Sequence, residues 1–358
     1  MTSRGMGGIQ QSLVPYALAL KAGGHAVQVV VRHGAEILGE LVERGLAEDS
    51  AVLGGRWSFL RPLETRELRR KLLEFGPDIV VGFAQKGLFE AARALRGRDI
   101  PVVTRVGTMR EKRQRRFHMA DGWLATTEQM RQSLTGLGFP AERVFTVPNF
   151  LADPADPADP QRLAGAQTAI PVGSMGRFAR RKGFHVLIEA MALLMQKGVA
   201  ARCDIAGDGR ERAALARQVE SLGVTDLVRL VGWLDNTEKP GFLAGLEVFA
   251  CPSLDEPFGF VYLEAMRLGL PIVTTPTVGA RHIFAGGEGA EFVPFEDPAA
   301  LAAAIERLAH DPARRTMLGA QGAAIYAARF SLEAGTRTLC AALEALQKSG
   351  RRRNGRRR

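Results

Sequence analysis

The chain has 358 residues, 46% of them hydrophobic, and a formal net charge of +10 from 48 Lys and Arg against 38 Asp and Glu. That length predicts two domains, each able to bury its own core, and the composition excludes a disordered chain. The apolar runs fall short of the roughly 20 residues a membrane-spanning helix needs, MTSRGMGGIQQSL has no apolar signal region, and the spacing of Cys203, Cys251 and Cys340 suits neither a metal nor a redox pair, as expected of buried thiols in a reduced cytosol.

In chain order, the first feature is the glycine loop RGMGGIQ, beginning at Arg4. A doubly wound domain ordinarily opens with a strand that runs into such a loop. Only Met-Thr-Ser precedes this one, so either that strand is absent or another segment takes its place. Predicted strands follow at HAVQVVV (25–31), DIVVGF (78–83), IPVVTRV (100–106), DGWLATT (121–127) and RVFTVPN (143–149). The repeat ADPADPADP (152–160) cannot form a helix or a central strand, and reads as an interdomain linker extending to Ala169. Asp153, Asp156 and Asp159 resemble a metal-ligand series, but the proline after each favours a plain linker.

Beyond the linker the alternation is cleaner. IPVGSMGR (170–177) precedes a predicted helix over 184–197, and CDIAGDG (203–209) one over about 210–222. VRLVGW, LEVFACPS, PIVTT and EFVPF supply further strands. Strands alternating with helices predict an α/β chain of parallel, doubly wound sheets, in which ligands bind outside the carboxyl ends of the strands. The expected boundaries are 1–151 for a first domain, 152–169 for the linker, 170–330 for a second domain, 331–349 for a helix packing back toward the first, and 350–358 for a basic disordered tail. Ser331, with Glu333 behind it, reads as an N-cap.

Two motifs carry chemistry. In SMGRFARRKGFHVLIEAM, Arg177 and Lys182 stand just before a helix, where free N–H groups and the dipole favour phosphate. The same segment, with Arg180 and Arg181, also reads as a basic surface loop. In DEPFGFVYLEAMRLGLP, Glu256 lies in a turn and Glu264 on the helix that follows. Each could accept hydrogen bonds from paired hydroxyls, holding two sugars on either side of a diphosphate. Individually, Glu264 also fits a salt bridge with a residue such as Arg267, and Glu256 fits helix N-terminal charge.

On these residues, with IAGDG (205–209), VPN (147–149) and RGMGGIQ, the chain resembles a family 4 glycosyltransferase with the EX7E motif. The resemblance implies the GT-B architecture, two facing Rossmann-like domains with an interdomain cleft, the first on the acceptor side. It implies retaining, hexosyl-type transfer from a UDP- or GDP-sugar without cofactor or metal. Arg177 and Lys182 match the grip on the donor diphosphate, Glu264 the ribose contact, and Glu256 the glutamate near the transferred sugar. Phe258 and Gly259 match the turn facing that sugar, Gly7 and Gly8 the first-domain loop over the diphosphate, and Gly207 and Gly209 a turn beside the nucleotide. The acceptor implied is a glycan or lipid-linked glycan of the cell envelope, lipopolysaccharide core included.

Where relatives carry a histidine or aspartate after the fourth first-domain strand, this chain has Arg105, Gly107 and Thr108, so no first-domain base is named. His118 reads as a surface helix residue and His25 as structural. The run REKRQRR (110–116) is either a solvated helix face or a seat for an anionic acceptor. The tail RRRNGRRR is read as plain solvated chain, as a peripheral contact with anionic lipid at the inner face of the cytoplasmic membrane, or as a polyanion contact; no specific nucleic-acid module accompanies it. Two competing readings are a nucleotide-sugar epimerase or hydrolase, which needs an acid–base pair not found here, and a non-catalytic nucleotide-binding member.

Overall fold

The computed structural model describes residues 11–35, 37–53, 61–152 and 169–355. Two units partition the chain: 1–155 with 329–358, and 156–328. In the first unit the elements are α1 (Leu13–Ala22), β1 (Val29–Arg32), α2 (Ile37–Glu43), β2 (Ser50–Leu53), α3 (Arg61–Phe75), β3 (Val80–Gly82), α4 (Ala84–Ala94), β4 (Val102–Val106), α5 (Glu111–Gln114), β5 (Gly122–Ala125), α6 (Glu128–Gly136) and β6 (Val144–Thr146). The second unit runs β7 (Ile170–Met175), α7 (Phe184–Gln196), β8 (Ala201–Ala206), α8 (Arg212–Ser221), β9 (Val228–Gly232), α9 (Glu238–Ala244), β10 (Val248–Cys251), α10 (Phe260–Arg267), β11 (Ile272–Thr274), α11 (Val278–Ile283), β12 (Ala290–Phe292), α12 (Pro298–His310) and α13 (Pro312–Arg329). The last helix, α14 (Leu332–Gly355), belongs to the first unit.

The second unit is one parallel sheet in the order β12-β11-β10-β7-β8-β9. Its central strands β7 (IPVGSM) and β10 (VFAC) are buried along their whole length, as parallel strands between helices must be. Side chains of α7 and α12 pack with β7, β8 and β10 in one core. Local signals agree with this plan. Asp297 caps α12 by accepting from Ala300 N at 2.8 Å, with Pro298 in the first turn.

The first unit differs from a single wound sheet. Its described strands form two parallel ladders, β1-β2 and β3-β4-β5-β6, with no pairing between β1 and β3 among the described residues. The strand that a wound domain places ahead of its first glycine loop is not among the described elements, and the break falls where such a strand would lie. Leu339, Ala342, Leu343 and Leu346 of α14 share a core with Leu13, Val14 and Val103.

Two boundaries shift. Arg329 and Phe330 belong to the first unit rather than the second, because Phe330 is fully buried there and its carbonyl accepts from Leu151 N at 3.1 Å. The final helix runs through Gly355, where a disordered tail is expected from 350. Helix propagation beyond anchored turns adds one hydrogen bond per residue, and Arg is a good helix former. Ser331 caps this helix as expected, its Oγ accepting from Ala334 N at 3.2 Å. The linker lies almost wholly outside the described residues.

Candidate functional site

In the second unit the strand order reverses between β7 and β10, and a ligand crevice opens at the carboxyl ends of two such strands. The loop after β7 carries Arg177 and Lys182; the loop after β10 carries Glu256. At this switch point the Lys182 ammonium donates to Glu256 Oε2, with both side chains only 10% exposed. Two bonds hold the loops in register, Leu254 N donating to Arg181 O at 2.8 Å and the Arg181 side-chain Nη1 to Asp255 O at 2.8 Å, while Gly279 N of α11 donates to Glu256 O at 2.8 Å. Gly183 makes the approach possible. Its φ is 71°, it sits at the N-terminus of α7, and a Cβ there would overlap the Pro252 carbonyl oxygen.

Glu264 is on α10, and Lys239 of α9 faces it at 3.4 Å, with side chains 12% and 14% exposed. The partner is thus Lys239, which the sequence reading did not name, rather than Arg267. Tyr262 anchors α10 from below. Fully buried, its hydroxyl lies 2.9 Å from Thr274 Oγ1, which donates to Cys251 O at 3.0 Å. Burial above all, then the neighbouring Cys251, pushes the Tyr262 phenol well above its ordinary range. Burial likewise raises the thiols of Cys203 and Cys251, which makes both poor nucleophiles. Cys340 is only partly buried, unlike the expectation for all three.

The remaining predicted residues are distributed as follows. Arg177 is exposed and makes no hydrogen bond or ion pair among the described residues. Phe258 is buried, its ring centroid 6.1 Å from that of Phe260 and 6.0 Å from that of His282; Gly259 is the residue before α10. Gly207 and Gly209 have a packing reason of their own. At φ 148° and 153°, they let the turn after β8 nest on the loop after β7, where a Cβ at Gly207 would overlap the Gly176 carbonyl oxygen. Phe178 N donates to Asp208 O at 2.8 Å across the same contact. Gly7 and Gly8 lie outside the described residues.

The first unit holds a buried cation at the place where a base was sought. Arg105, at the end of β4, is 7% exposed, and its Nε donates to Asn149 Oδ1 at 3.1 Å, with Nη2 on the same oxygen. No carboxylate pairs with it among the described residues. Burial lowers the guanidinium pKa, and burial pushes the nearby Tyr16 phenol up to about 12. His118 is exposed, its Nδ1 2.9 Å from Arg115 O, and the basic run 110–116 forms the short helix α5 and the 3-10 turn after it, with exposed Arg115 pairing with Glu111 at 2.7 Å. Gln114 is the buried exception in that run: its Nε2 donates to Thr108 O at 2.9 Å, which fixes the helix on β4's loop. Among the described residues, no group of three His, Cys, Asp or Glu could hold a metal ion, and no helix is long and apolar enough to cross a membrane.

Two Rossmann-like α/β units, the second with the Lys182–Glu256 pair at its switch point, define the class of fold to which this chain belongs. The family described as glycosyl transferases group 1 matches residues 157–325, and the glycosyl transferase 4-like domain matches residues 7–149. The lipopolysaccharide core biosynthesis glycosyltransferase LpsD of Rhizobium meliloti is 31% identical over 334 residues, 92% of each chain. LpsE of the same organism, carrying the same description, is 33% identical over 285 residues, 77% of each chain. Among solved structures, Anabaena Alr3699/HepE in complex with UDP superposes with a TM-score of 0.79 at 20% identity, covering 96% of this chain and 98% of that one. The apo lipopolysaccharide outer core galactosyltransferase WaaB gives 0.71 at 16% identity, covering 96% and 97%. The chain therefore belongs to the group 1 glycosyl transferases and is a glycosyltransferase, with the α/β fold of the GT-B enzymes.

Proposed function

We propose that the chain moves a hexose from a nucleotide-diphosphate sugar to a glycan or lipid-linked glycan of the cell envelope, within lipopolysaccharide core or related polysaccharide synthesis. The observation that carries this reading is the buried Lys182–Glu256 pair at the switch point of the second unit. The names of LpsD and LpsE, relatives spanning most of the chain, supply the acceptor class. UDP in the HepE structure supports a nucleotide donor.

In this reading Lys182 and Arg177 neutralise the diphosphate, with the free N–H groups of the first turn of α7 beside them. Glu256 accepts from hydroxyls of the transferred sugar, and Glu264 from the ribose. Gly207 and Gly209 line the nucleotide side of the site, and the Phe258-Gly259 turn faces the sugar. Without the donor, each carboxylate is neutralised by a lysine; arrival of the diphosphate gives Lys182 a second anion to bind. Transfer proceeds with retention and needs no metal or cofactor. The bond from the anomeric carbon to the diphosphate oxygen breaks, the acceptor oxygen bonds to that carbon from the departing side, and its proton passes to the diphosphate.

The enzyme works at the inner face of the cytoplasmic membrane, with the arginine-rich C-terminus attracted to anionic lipid. The test is transfer itself. UDP- and GDP-hexoses are incubated with rough lipopolysaccharide or lipid-linked acceptors, and the product anomer is read by proton NMR. An α-linked product from an α-linked donor is expected. An inverted product, or free sugar without transfer, overturns the reading.

A further inference from the structure

Glu264 has one carboxylate oxygen held and the other open. Its Oε1 lies 3.4 Å from the Lys239 ammonium, and its Oε2 makes no hydrogen bond among the described residues. Both side chains are largely withdrawn from water. An ion pair so placed seldom repays the cost of desolvating two charges, and a lysine is rarely buried without a specific partner. The diphosphate and sugar contacts of the proposed site make no use of Lys239.

The ammonium stands on a braced support. In the turn between β9 and α9, Asp235 Oδ1 accepts from Thr237 N at 2.8 Å, from Thr237 Oγ1 at 2.6 Å and from Glu238 N at 3.0 Å. Glu238 Oε2 in return accepts from Asp235 N at 2.9 Å, a reciprocal closure that fixes the start of α9. Lys239 N then donates to Asp235 O at 3.2 Å, and its Nζ to Asn236 Oδ1 at 3.1 Å. Two anchors, Asn236 in its own turn and Glu264 on α10, therefore set where the charge sits. The connection is also tied to the turn after β8, because Gly207 N donates at 2.6 Å to the carbonyl of Gly232, the last residue of β9. In the proposed reading this is the nucleoside side of the site, as the loop carrying Lys182 is its phosphate side.

We infer that Lys239 is a positioning residue for the nucleoside, an inference that rests on the reading of Glu264 as the ribose contact. By holding Oε1, Lys239 balances the charge of Glu264, fixes the orientation of its carboxylate, and leaves Oε2 to accept from the ribose hydroxyls. A charged oxygen already stripped of most of its water discriminates against a nucleoside that lacks those hydroxyls, because it is then left without a donor. The second unit is in this way selective for ribonucleotides, and Lys239 acts on the ligand only through Glu264.

Calorimetry on the full chain tests this, with UDP or GDP, whichever binds the native protein more tightly, against the 2′,3′-dideoxy form of the same nucleotide. The native chain is expected to prefer the ribonucleotide by about tenfold or more. Lys239→Met is expected to reduce that preference to about threefold or less and to leave affinity for the dideoxy form within about twofold. In a Glu264→Gln background, adding Lys239→Met is expected to change neither affinity. That second comparison leaves no buried charge unpaired, and it decides the matter alone if Lys239→Met by itself does not fold. An unchanged preference in Lys239→Met overturns the inference. So does an equal loss of both nucleotides by a folded variant, or a further loss in the Glu264→Gln background, since either means that Lys239 acts other than through Glu264. A native chain that binds neither nucleotide, or binds the two equally, overturns the reading of Glu264 and this inference with it.

Discussion

Lys182 and Glu256 lie 74 positions apart in sequence and meet as a buried ion pair, because β7 and β10 are neighbours at the point where the sheet order reverses. Removing two charges from water is costly, and a buried pair seldom repays that cost in stability. In the proposed reading, the pair is kept for binding the donor rather than for stability.

Breaking the pair on one side is therefore expected to destabilise more than removing it. Lys182→Ala leaves Glu256 buried and unpaired, costing about 3–5 kcal/mol, while Lys182→Met with Glu256→Leu recovers most of the loss. Urea denaturation of the single and double variants measures this. A double variant no more stable than the singles would show that the two residues do not act as a pair.

Gly183 has a close neighbour for its own control. Gly183 and Gly198 share a φ of 71°, but a Cβ at Gly183 overlaps the Pro252 carbonyl and one at Gly198 meets nothing. Gly198→Ala is expected to cost about 1 kcal/mol from backbone strain alone, and Gly183→Ala clearly more. Thermal melting compares them; equal losses would mean that the two loops do not touch.

His185, at the start of α7, gives a pH signature. Burial, then the Arg180 charge, lowers its pKa below the ordinary 6.5, against smaller opposing effects of Glu189, Glu296 and Glu211. Its Nε2 is buried without a partner. A depressed pKa means that the unfolded chain binds the proton first, so the stabilising contribution is complete above about pH 6.5 and is lost as pH falls through the folded value. Melting temperature should fall between pH 6.5 and 5 more steeply in the native chain than in His185→Gln. Parallel pH profiles would refute this.

Arg105 and Asn149 make the corresponding test in the first unit. Asn149→Ala leaves the buried guanidinium without its acceptor and is expected to cost about 1–3 kcal/mol. Arg105→Met with Asn149→Leu should cost less than the Asn149→Ala change alone, as denaturant midpoints will show. The reverse order would mean that Arg105 is satisfied elsewhere.

The second unit was largely legible in the sequence, because its parallel strands are continuous apolar runs such as VFAC, separated by helical spacing. The short strand β2 (SAVL) was not, since four residues beside an acidic stretch carry little periodic signal. Glu256 and Glu264 could be named from one local motif, but Lys239 could not: it lies 25 positions from Glu264 and meets it only through the packing of α9 on α10. Arg105 was noticed where a base was sought, yet its tie to Asn149, 44 positions on, is tertiary. Gly207 and Gly209 show the opposite limit, since a glycine that admits a ligand and one that admits a neighbouring loop look the same in sequence. The split of the first unit's described strands into two ladders, with β1 and β3 unpaired, was not legible, since strand pairing is decided by tertiary packing.

The central claim is that Lys182 binds the donor diphosphate. Calorimetric titration of UDP and GDP into the native chain and into Lys182→Ala with Glu256→Gln, which leaves no uncompensated buried charge, tests it most directly. At least one nucleotide should bind the native chain, and the variant, folded by its melting curve, should bind it about tenfold or more weakly, a loss of about 1.4 kcal/mol or more. Equal affinity in the two proteins would contradict the account.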